Sequence, residues 1–148
     1  YSGFGPVAEL VLSDSVGFSG CADGILVSSD ARGEGMAVAE IARRDDRPGC
    51  VVHRASKRLA KSSWSGSNYE VMFESTDNMA AHLKAGNYRY LLLDDSIPEN
   101  RLRPHHSTLA SAVSANPKDF QLIGSYPIIR DSVSREGALR LYRVRPDR

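Results

Sequence analysis

Three short strand-like runs limit the folds open to this sequence more than any other feature: residues 24–29, 50–55 and 88–95. Their residues do not alternate strictly between apolar and polar, as is typical of strands that are covered on both faces of a sheet. Residues 34–44 separate the first two runs and have the apolar spacing of a helix. A strand, a helix and a strand in this order predict a right-handed parallel crossover. The polar residues that follow these strands are therefore expected along one edge of a sheet.

The remaining segments complete an α/β prediction. Helical spacing is also present near the start of the chain, in residues 75–84 and in residues 107–114, and Ser75 can cap the second of these helices. Residues 121–130 and 138–145 are strand-like and leave no room for a helix between them, which predicts an antiparallel hairpin. The sequence thus predicts a single domain over residues 1–148, with a Rossmann-like, mainly parallel sheet flanked by helices and a C-terminal antiparallel hairpin.

Two details refine this prediction. Residues 57–68 are polar around one tryptophan, Trp64, and are expected to form a surface excursion before a short strand at 69–74. Pro127 lies inside the first strand of the hairpin and has no N–H group to donate to a neighbouring strand. That strand is therefore expected at an edge of the sheet or at a bulge.

Charge and hydropathy exclude two classes of protein. The chain has 19 basic and 18 acidic side chains, so its long-range field is too weak for a protein that neutralises many phosphates, and no nucleic-acid partner is expected. No window has the roughly 18 uninterrupted apolar residues that a membrane-spanning helix requires.

The two cysteines, Cys21 and Cys50, each precede a predicted strand. They are interpreted either as a disulfide across one edge of the sheet or as two buried thiols.

The first candidate site follows the first strand. Ser29, Asp30, Gly33 and Glu34 lie where that strand leads into a helix, and the free amides of a helix start can bind a phosphate. The glycine spacing matches neither the dinucleotide-binding fingerprint nor the nucleotide-binding loop. The alternative is structural, with Asp30 as the helix cap and the glycines in the turn.

The second candidate site follows the strongest strand. Asp94 and Asp95 would lie at the same edge of the sheet, and their carboxylates could bind a divalent cation. Neighbouring residues on a strand point to opposite faces, so one of the pair is expected to turn away, and a turn-forming role is the alternative.

His105 and His106 follow Pro104 and are interpreted as part of an exposed loop. Neither metal nor cofactor is expected.

The third candidate site is a basic segment with aromatic neighbours. Arg54 and Lys57 are followed by Trp64, and cations with aromatic rings can bind a phosphate and stack on a sugar. The alternative is a charged surface loop held by one buried indole.

Residues 25–36, residues 53–57 with 62–69, and residues 90–95 together resemble the soluble carboxyl-terminal region of a family of bacterial membrane glycosyltransferases. These are multi-spanning (GT-C type) enzymes similar to dolichyl-phosphate-mannose-protein mannosyltransferases. Residues 139–145 also look like the last strand of such proteins. The resemblance covers most of the chain.

The resemblance implies a membrane enzyme that uses a polyprenyl-phosphate-linked sugar and carries its catalytic carboxylate between membrane helices. No catalytic residue of the family can be assigned to this sequence, so the chain is expected to be a non-catalytic domain of a larger protein. Its start at Tyr1 rather than at methionine agrees with an excised piece. The expected location is the periplasmic or extracellular face of the membrane. The expected partners are the protein's own membrane-embedded portion and a polyprenyl-phosphate sugar or its acceptor.

Two other functions are alternatives. A stand-alone enzyme for a sugar phosphate or nucleotide would use the carboxylates of Asp30, Glu34, Asp94 and Asp95 in one deep pocket. A protein-interaction module would use Trp64 in an exposed apolar patch.

Overall fold

A computed structural model of the chain describes residues 4–14, 24–44, 52–61, 70–73, 75–86, 88–130 and 135–145. The helices are α1 (Phe4–Asp14), α2 (Ala31–Arg44), α3 (Ala55–Arg58), α4 (Thr76–Ala85) and α5 (Pro104–Ala115). The strands are β1 (Ile25–Ser28), β2 (Val52–Arg54), β3 (Ala60–Lys61), β4 (Glu70–Val71), β5 (Tyr90–Asp94), β6 (Phe120–Arg130) and β7 (Arg135–Val144).

Five strands form one mixed sheet in the order β2-β1-β5-β7-β6. β1 pairs in parallel with both β2 and β5, whereas β7 pairs antiparallel with both β5 and β6. The predicted α/β class, the flanking helices and the C-terminal hairpin are confirmed. The prediction of a mainly parallel sheet holds only for β2, β1 and β5, because the long hairpin adds two antiparallel pairings.

Helices cover both faces of the sheet and produce two apolar layers. On one face, α1 and α2 pack on a layer that includes Ile25, Val27 and Leu92. On the other face, α3, α4 and α5 pack on a layer that includes Leu26 and Leu91. Successive strand residues thus enter opposite layers, which is why β1 and β5 are buried along their whole length and show no polar alternation.

Local chemistry explains where the helices begin. Ser75 caps α4 as expected, because its side chain accepts a hydrogen bond of 3.1 Å from the Asn78 N–H. Two helices begin about one turn earlier than predicted. α2 begins at Ala31 directly after Asp30, and α5 begins at Pro104, whose fixed φ suits the first helical position.

The surface excursion contains secondary structure that the sequence did not predict, whereas the first strand of the hairpin lies where it was predicted. α3 (Ala55–Arg58) begins at the last residue of the predicted second strand and extends into the predicted surface excursion. Residues 60–61 then pair with residues 70–71 in a second, two-stranded sheet. β6 is an edge strand, as Pro127 predicts.

Cys21, Cys50 and Trp64 lie outside the described residues, so the predictions that involve them stay predictions. Within the described part of the chain, no helix has the length and apolar character needed to cross a membrane.

Candidate functional site

The order of the parallel strands places a topological switch point between β1 and β5. β1 lies between β2 and β5, and the chain leads from β1 to α2 on one face of the sheet and from β5 to α5 on the other. Open α/β sheets bind their ligands at such a switch point. Polar residues follow both strands here, Ser28 and Ser29 at the end of β1 and Asp94 to Ser96 at the end of β5. We call this place the carboxyl edge.

Asp94 is the centre of a buried hydrogen-bond network at this edge. Its side chain is 1% exposed. One carboxylate oxygen accepts a bond of 2.5 Å from the Ser29 hydroxyl. The other accepts bonds from the Ser96 N–H at 2.9 Å and from the Ser96 hydroxyl at 2.5 Å. Three protein donors therefore satisfy this carboxylate, which ties the segment after β1 to the turn after β5.

His106 extends the same network from α5. Its Nδ1 lies 2.7 Å from the Ser28 hydroxyl oxygen, and both side chains are buried. Burial lowers the pKa of His106, although the nearby charges of Asp94 and Asp95 act in the opposite direction. A neutral imidazole at this place can accept the Ser28 proton in a hydrogen bond. Ser28 itself is fully buried, so the pair joins β1 to α5 within the scaffold.

The interpretation of the two histidines as part of an exposed loop was wrong. Both lie in the first turn of α5, and His105 is 1% exposed. Burial, and then the positive charges of His106 and Arg103, lower the pKa of His105 to about 4. The sequence did carry a signal, because His106, Leu109 and Val113 share one helical face once Pro104 is taken as the helix start.

Asp95 faces away from Asp94, as the strand geometry predicts. Its exposed carboxylate accepts a bond of 2.6 Å from the Ala138 N–H and lies 3.2 Å from the Arg140 guanidinium. The two neighbouring carboxylates therefore serve different parts of the fold. Among the described residues, no group of three or more His, Cys, Asp or Glu side chains is arranged to bind a metal ion.

The first candidate site has the geometry of a helix start. Asp30 accepts a bond of 2.8 Å from the Gly33 N–H and so caps α2, while its other oxygen lies 3.3 Å from the Arg101 guanidinium. A Cβ atom on Gly33 would overlap the Ser29 hydroxyl, so only glycine lets α2 approach the end of β1 this closely. These contacts match the structural alternative for Asp30 and Gly33.

Glu34 connects α2 to the junction between β2 and α3. Its carboxylate is fully buried and accepts bonds of 2.6 Å and 3.2 Å from the Ser56 hydroxyl and N–H. It also accepts a bond of 3.3 Å from the Arg54 guanidinium. Burial raises the pKa of Glu34, and the bonds from Ser56 and Arg54 counteract this in part. Arg54 therefore belongs to this ion pair, whereas Lys57 on α3 is exposed.

The structure thus brings some predicted residues together and separates others. Ser29 and Asp94 meet at the carboxyl edge, and Glu34 meets Arg54 beside it. Asp30 pairs with Arg101 and Asp95 pairs with Arg140, so each of the four carboxylates has its own set of partners. Ser28, Ser56, Ser96 and His106 are the network members that the candidate list missed.

In comparisons with known proteins, no family model matches the chain, no curated protein matches its sequence and no solved structure matches its fold. Its function is therefore inferred from the sequence resemblance and from the geometry of the site.

Proposed function

We propose that this chain is a non-catalytic domain that positions substrate in a membrane glycosyltransferase using a polyprenyl-phosphate-linked sugar. The sequence resemblance supplies the enzyme class. The observation that carries the accessory role is the engagement of each candidate carboxylate in the scaffold. On this proposal the domain lies at the periplasmic or extracellular face of the membrane, beside the membrane-embedded portion of the same protein.

The contacts of the carboxylates support this role over that of a stand-alone enzyme. General acid–base catalysis requires a titratable group within hydrogen-bond reach of the substrate. Glu34 and Asp94 are 0% and 1% exposed, and each is satisfied by donors of the protein itself. Asp30 caps a helix and Asp95 holds the β7 backbone. An active site that used all four carboxylates would have to break the contacts that each of them makes within the protein.

Exposed cations around the same edge support contact with a phosphate. Lys57 and Arg58 lie on α3 just beyond β2, and Arg101 and Arg103 lie between β5 and α5. Guanidinium and ammonium groups bind phosphate oxygens by charge-assisted hydrogen bonds. The proposed contact for the lipid-linked phosphate is therefore the rim formed by Arg54 and Lys57, outside the buried network.

We also propose that the half of the sheet formed by β2, β1 and β5 is a Rossmann-like unit. Its support is the central place of β1 between two parallel neighbours and the helices on both faces. The protein-interaction module stays a prediction, since Trp64 lies outside the described residues.

A binding experiment tests the proposal. The purified chain is titrated with geranyl phosphate, a short polyprenyl phosphate, and compared with Arg54→Ala and Lys57→Ala. We expect each variant to bind about 3- to 10-fold more weakly, because each loses one charge-assisted contact to the phosphate. Lys57→Ala is the cleaner test, because Arg54 also contacts Glu34.

Arg43→Ala is the matched control. Arg43 is an exposed cation in the last turn of α2 and should not affect binding. Equal affinity in all four proteins would refute the phosphate contact at this rim. Sugar transfer by the isolated chain from a polyprenyl-phosphate sugar to an acceptor would refute the non-catalytic role.

A further inference from the structure

A groove with a volume of 440 Å³ lies at the opposite edge of the sheet from the carboxyl edge. It is formed by the turn between α5 and β6 and by the end of β7. Its lining residues are Pro117, Lys118, Asp119, Gln121, Arg143, Val144 and Arg145. We call it the basic groove.

Backbone hydrogen bonds hold the two walls of the basic groove together. The Arg145 N–H donates to the Asp119 carbonyl at 2.7 Å, and the Asp119 N–H donates to the Asn116 carbonyl at 3.0 Å. Phe120 and Val144 are directly paired where β6 begins and β7 ends. Main-chain contacts therefore fix the two segments that form the walls of the groove relative to each other.

The lining of the groove is positively charged. Among the described residues, the lining of the groove contains three cations, Lys118, Arg143 and Arg145, and one carboxylate, that of Asp119. This carboxylate already lies 3.6 Å from the ammonium group of a fourth cation, Lys84. The whole chain has a net charge of only +1, so the excess of cations here is local. An anion that enters the groove meets attraction with little opposing charge.

The composition of the walls narrows the chemical class of the anion. Two arginines offer planar donor groups that match the oxygens of a phosphate, and a lysine adds a mobile point charge. Pro117 is exposed and provides apolar surface next to these cations, whereas the Val144 side chain is buried in the core. A bare ion would not use that surface, whereas an organic group attached to the phosphate would.

We propose that the basic groove binds a phosphate ester. The phosphate contacts Lys118 and Arg145, and the esterified group lies against Pro117. A soluble sugar phosphate and a lipid headgroup share this chemistry. The site uses no residue of the carboxyl edge, so it is independent of the proposed function.

The experiment measures the binding of two probes to the purified chain. Glucose 1-phosphate, followed by titration calorimetry, represents the soluble source. Vesicles of phosphatidylcholine with and without phosphatidic acid, followed by co-sedimentation, represent the lipid source. We expect the chain to bind at least one of these phosphate probes, and to bind vesicles only when phosphatidic acid is present. The probe that binds identifies the source.

The decisive variant is the double substitution Lys118→Gln/Arg145→Gln. It removes two exposed cations and leaves the main-chain bond between Arg145 and Asp119 in place. We expect binding to weaken about 10-fold or more, because two charge-assisted contacts are lost. The matched control is Arg32→Gln/Arg43→Gln, which removes the same charge from two exposed positions of α2 and should bind like the wild type.

The proposal would be overturned if the wild type bound neither phosphate probe, or if the groove variant bound as tightly as the wild type. It would also be overturned if both double variants bound equally weakly, since that would indicate a non-specific effect of charge. Failure of the proposed function is a separate result. If geranyl phosphate binds the Arg54→Ala and Lys57→Ala variants normally but does not bind the groove variant, the rim contact is refuted and the basic groove is supported.

Discussion

The two edges of the central sheet use polar residues in opposite ways. At the carboxyl edge, Asp94 and His106 are buried, and their hydrogen-bond partners are other side chains and backbone groups of the protein. At the basic groove, Lys118 and Arg145 are exposed on walls held by main-chain bonds. The buried network at the carboxyl edge is expected to contribute to stability, and the exposed cations of the basic groove are expected to contribute to binding.

This difference follows from the energetics of burial. A buried carboxylate that loses its donors leaves several polar groups unsatisfied, which costs more free energy than the hydrogen bonds contributed. An exposed cation is solvated by water in every state of the protein and contributes little to folding. A polar cluster at a sheet edge is thus a poor indicator of a ligand site unless its exposure is known. The comparison leads to four predictions.

The largest effect is expected for Asp94→Ala. This change removes the acceptor of three hydrogen bonds and leaves the Ser29 and Ser96 hydroxyls buried. We expect the free energy of unfolding to fall by about 3–4 kcal/mol. Urea denaturation should show a lower midpoint with an unchanged slope.

Asp95→Ala is the control for this prediction, because it removes a neighbouring but exposed carboxylate. We expect a loss of about 1 kcal/mol or less, since its ion pair with Arg140 is open to solvent. Similar losses for the two variants would contradict the assignment of the carboxyl edge to stability.

Acid is expected to weaken the fold next most strongly. The folded-state pKa of His105 is about 4, below the 6.5 of an unperturbed histidine, so the unfolded chain takes up the proton first as the pH falls. The stabilisation is therefore present above about pH 6.5 and is lost toward pH 4. Between about pH 7 and pH 5 we expect a loss of about 2 kcal/mol from His105 alone. The lowered pKa of His106 acts in the same direction.

Glu34 opposes this trend, because its raised pKa lets the folded state bind a proton more readily than the unfolded state as the pH falls. Urea midpoints at several pH values measure the net effect, and His105→Gln should reduce the slope. If the stability of neither the wild type nor the His105→Gln variant changes between pH 7 and pH 5, the histidines are not buried in their neutral form.

Gly137→Ala is expected to have an intermediate effect. A Cβ atom at Gly137 would lie 2.8 Å from the Cα of Ser96 and would overlap its Cβ. The strand β7 must then move away from the turn after β5, which should lower the free energy of unfolding by on the order of 1–2 kcal/mol. Thermal unfolding should show a lower midpoint.

Gly35→Ala is the matched comparison. A Cβ atom at Gly35 would meet nothing within 4 Å, and the residue lies inside α2. Alanine there should stabilise the chain by about 0.5–1 kcal/mol through its higher helix propensity. The two substitutions should shift the midpoint in opposite directions, and equal shifts would contradict the packing of Gly137 against Ser96.

The smallest effect is expected at the basic groove. Lys118→Gln/Arg145→Gln should change the free energy of unfolding by less than about 0.5 kcal/mol, because both side chains are exposed. Urea denaturation of this variant beside Asp94→Ala sharpens the comparison. A loss as large as that of Asp94→Ala would show that the two edges do not differ.

Residue patterns anticipated the parts of the fold whose signal is local. The unbroken apolar run at β5 predicted a central strand, and the Ser75 hydroxyl predicted the start of α4. Pro127 predicted an edge strand, because its missing N–H is tolerated where no neighbour needs it. Strand geometry also predicted correctly that Asp94 and Asp95 point in different directions.

The partners of the polar residues were not predictable in the same way. Asp94 and Ser29 are 65 positions apart in sequence, and Ser28 and His106 are 78 apart. Nothing in the local pattern around His106 marks it as a partner of Ser28. The antiparallel pairing of β7 with β5 was missed for the same reason, since it joins segments whose local patterns fit several neighbours.

By itself, the sequence determined the class of the fold, the identity of its central strands and the approximate positions of α1, α2, α4 and α5, because apolar periodicity, caps and proline act over a few residues. The tertiary structure alone decided that the polar residues after β1 and β5 form one closed network and that cations from two distant segments share a groove. Exposure and long-range pairing depend on how complete elements pack. Whether a carboxylate or a cation serves the scaffold or a ligand is decided at that level.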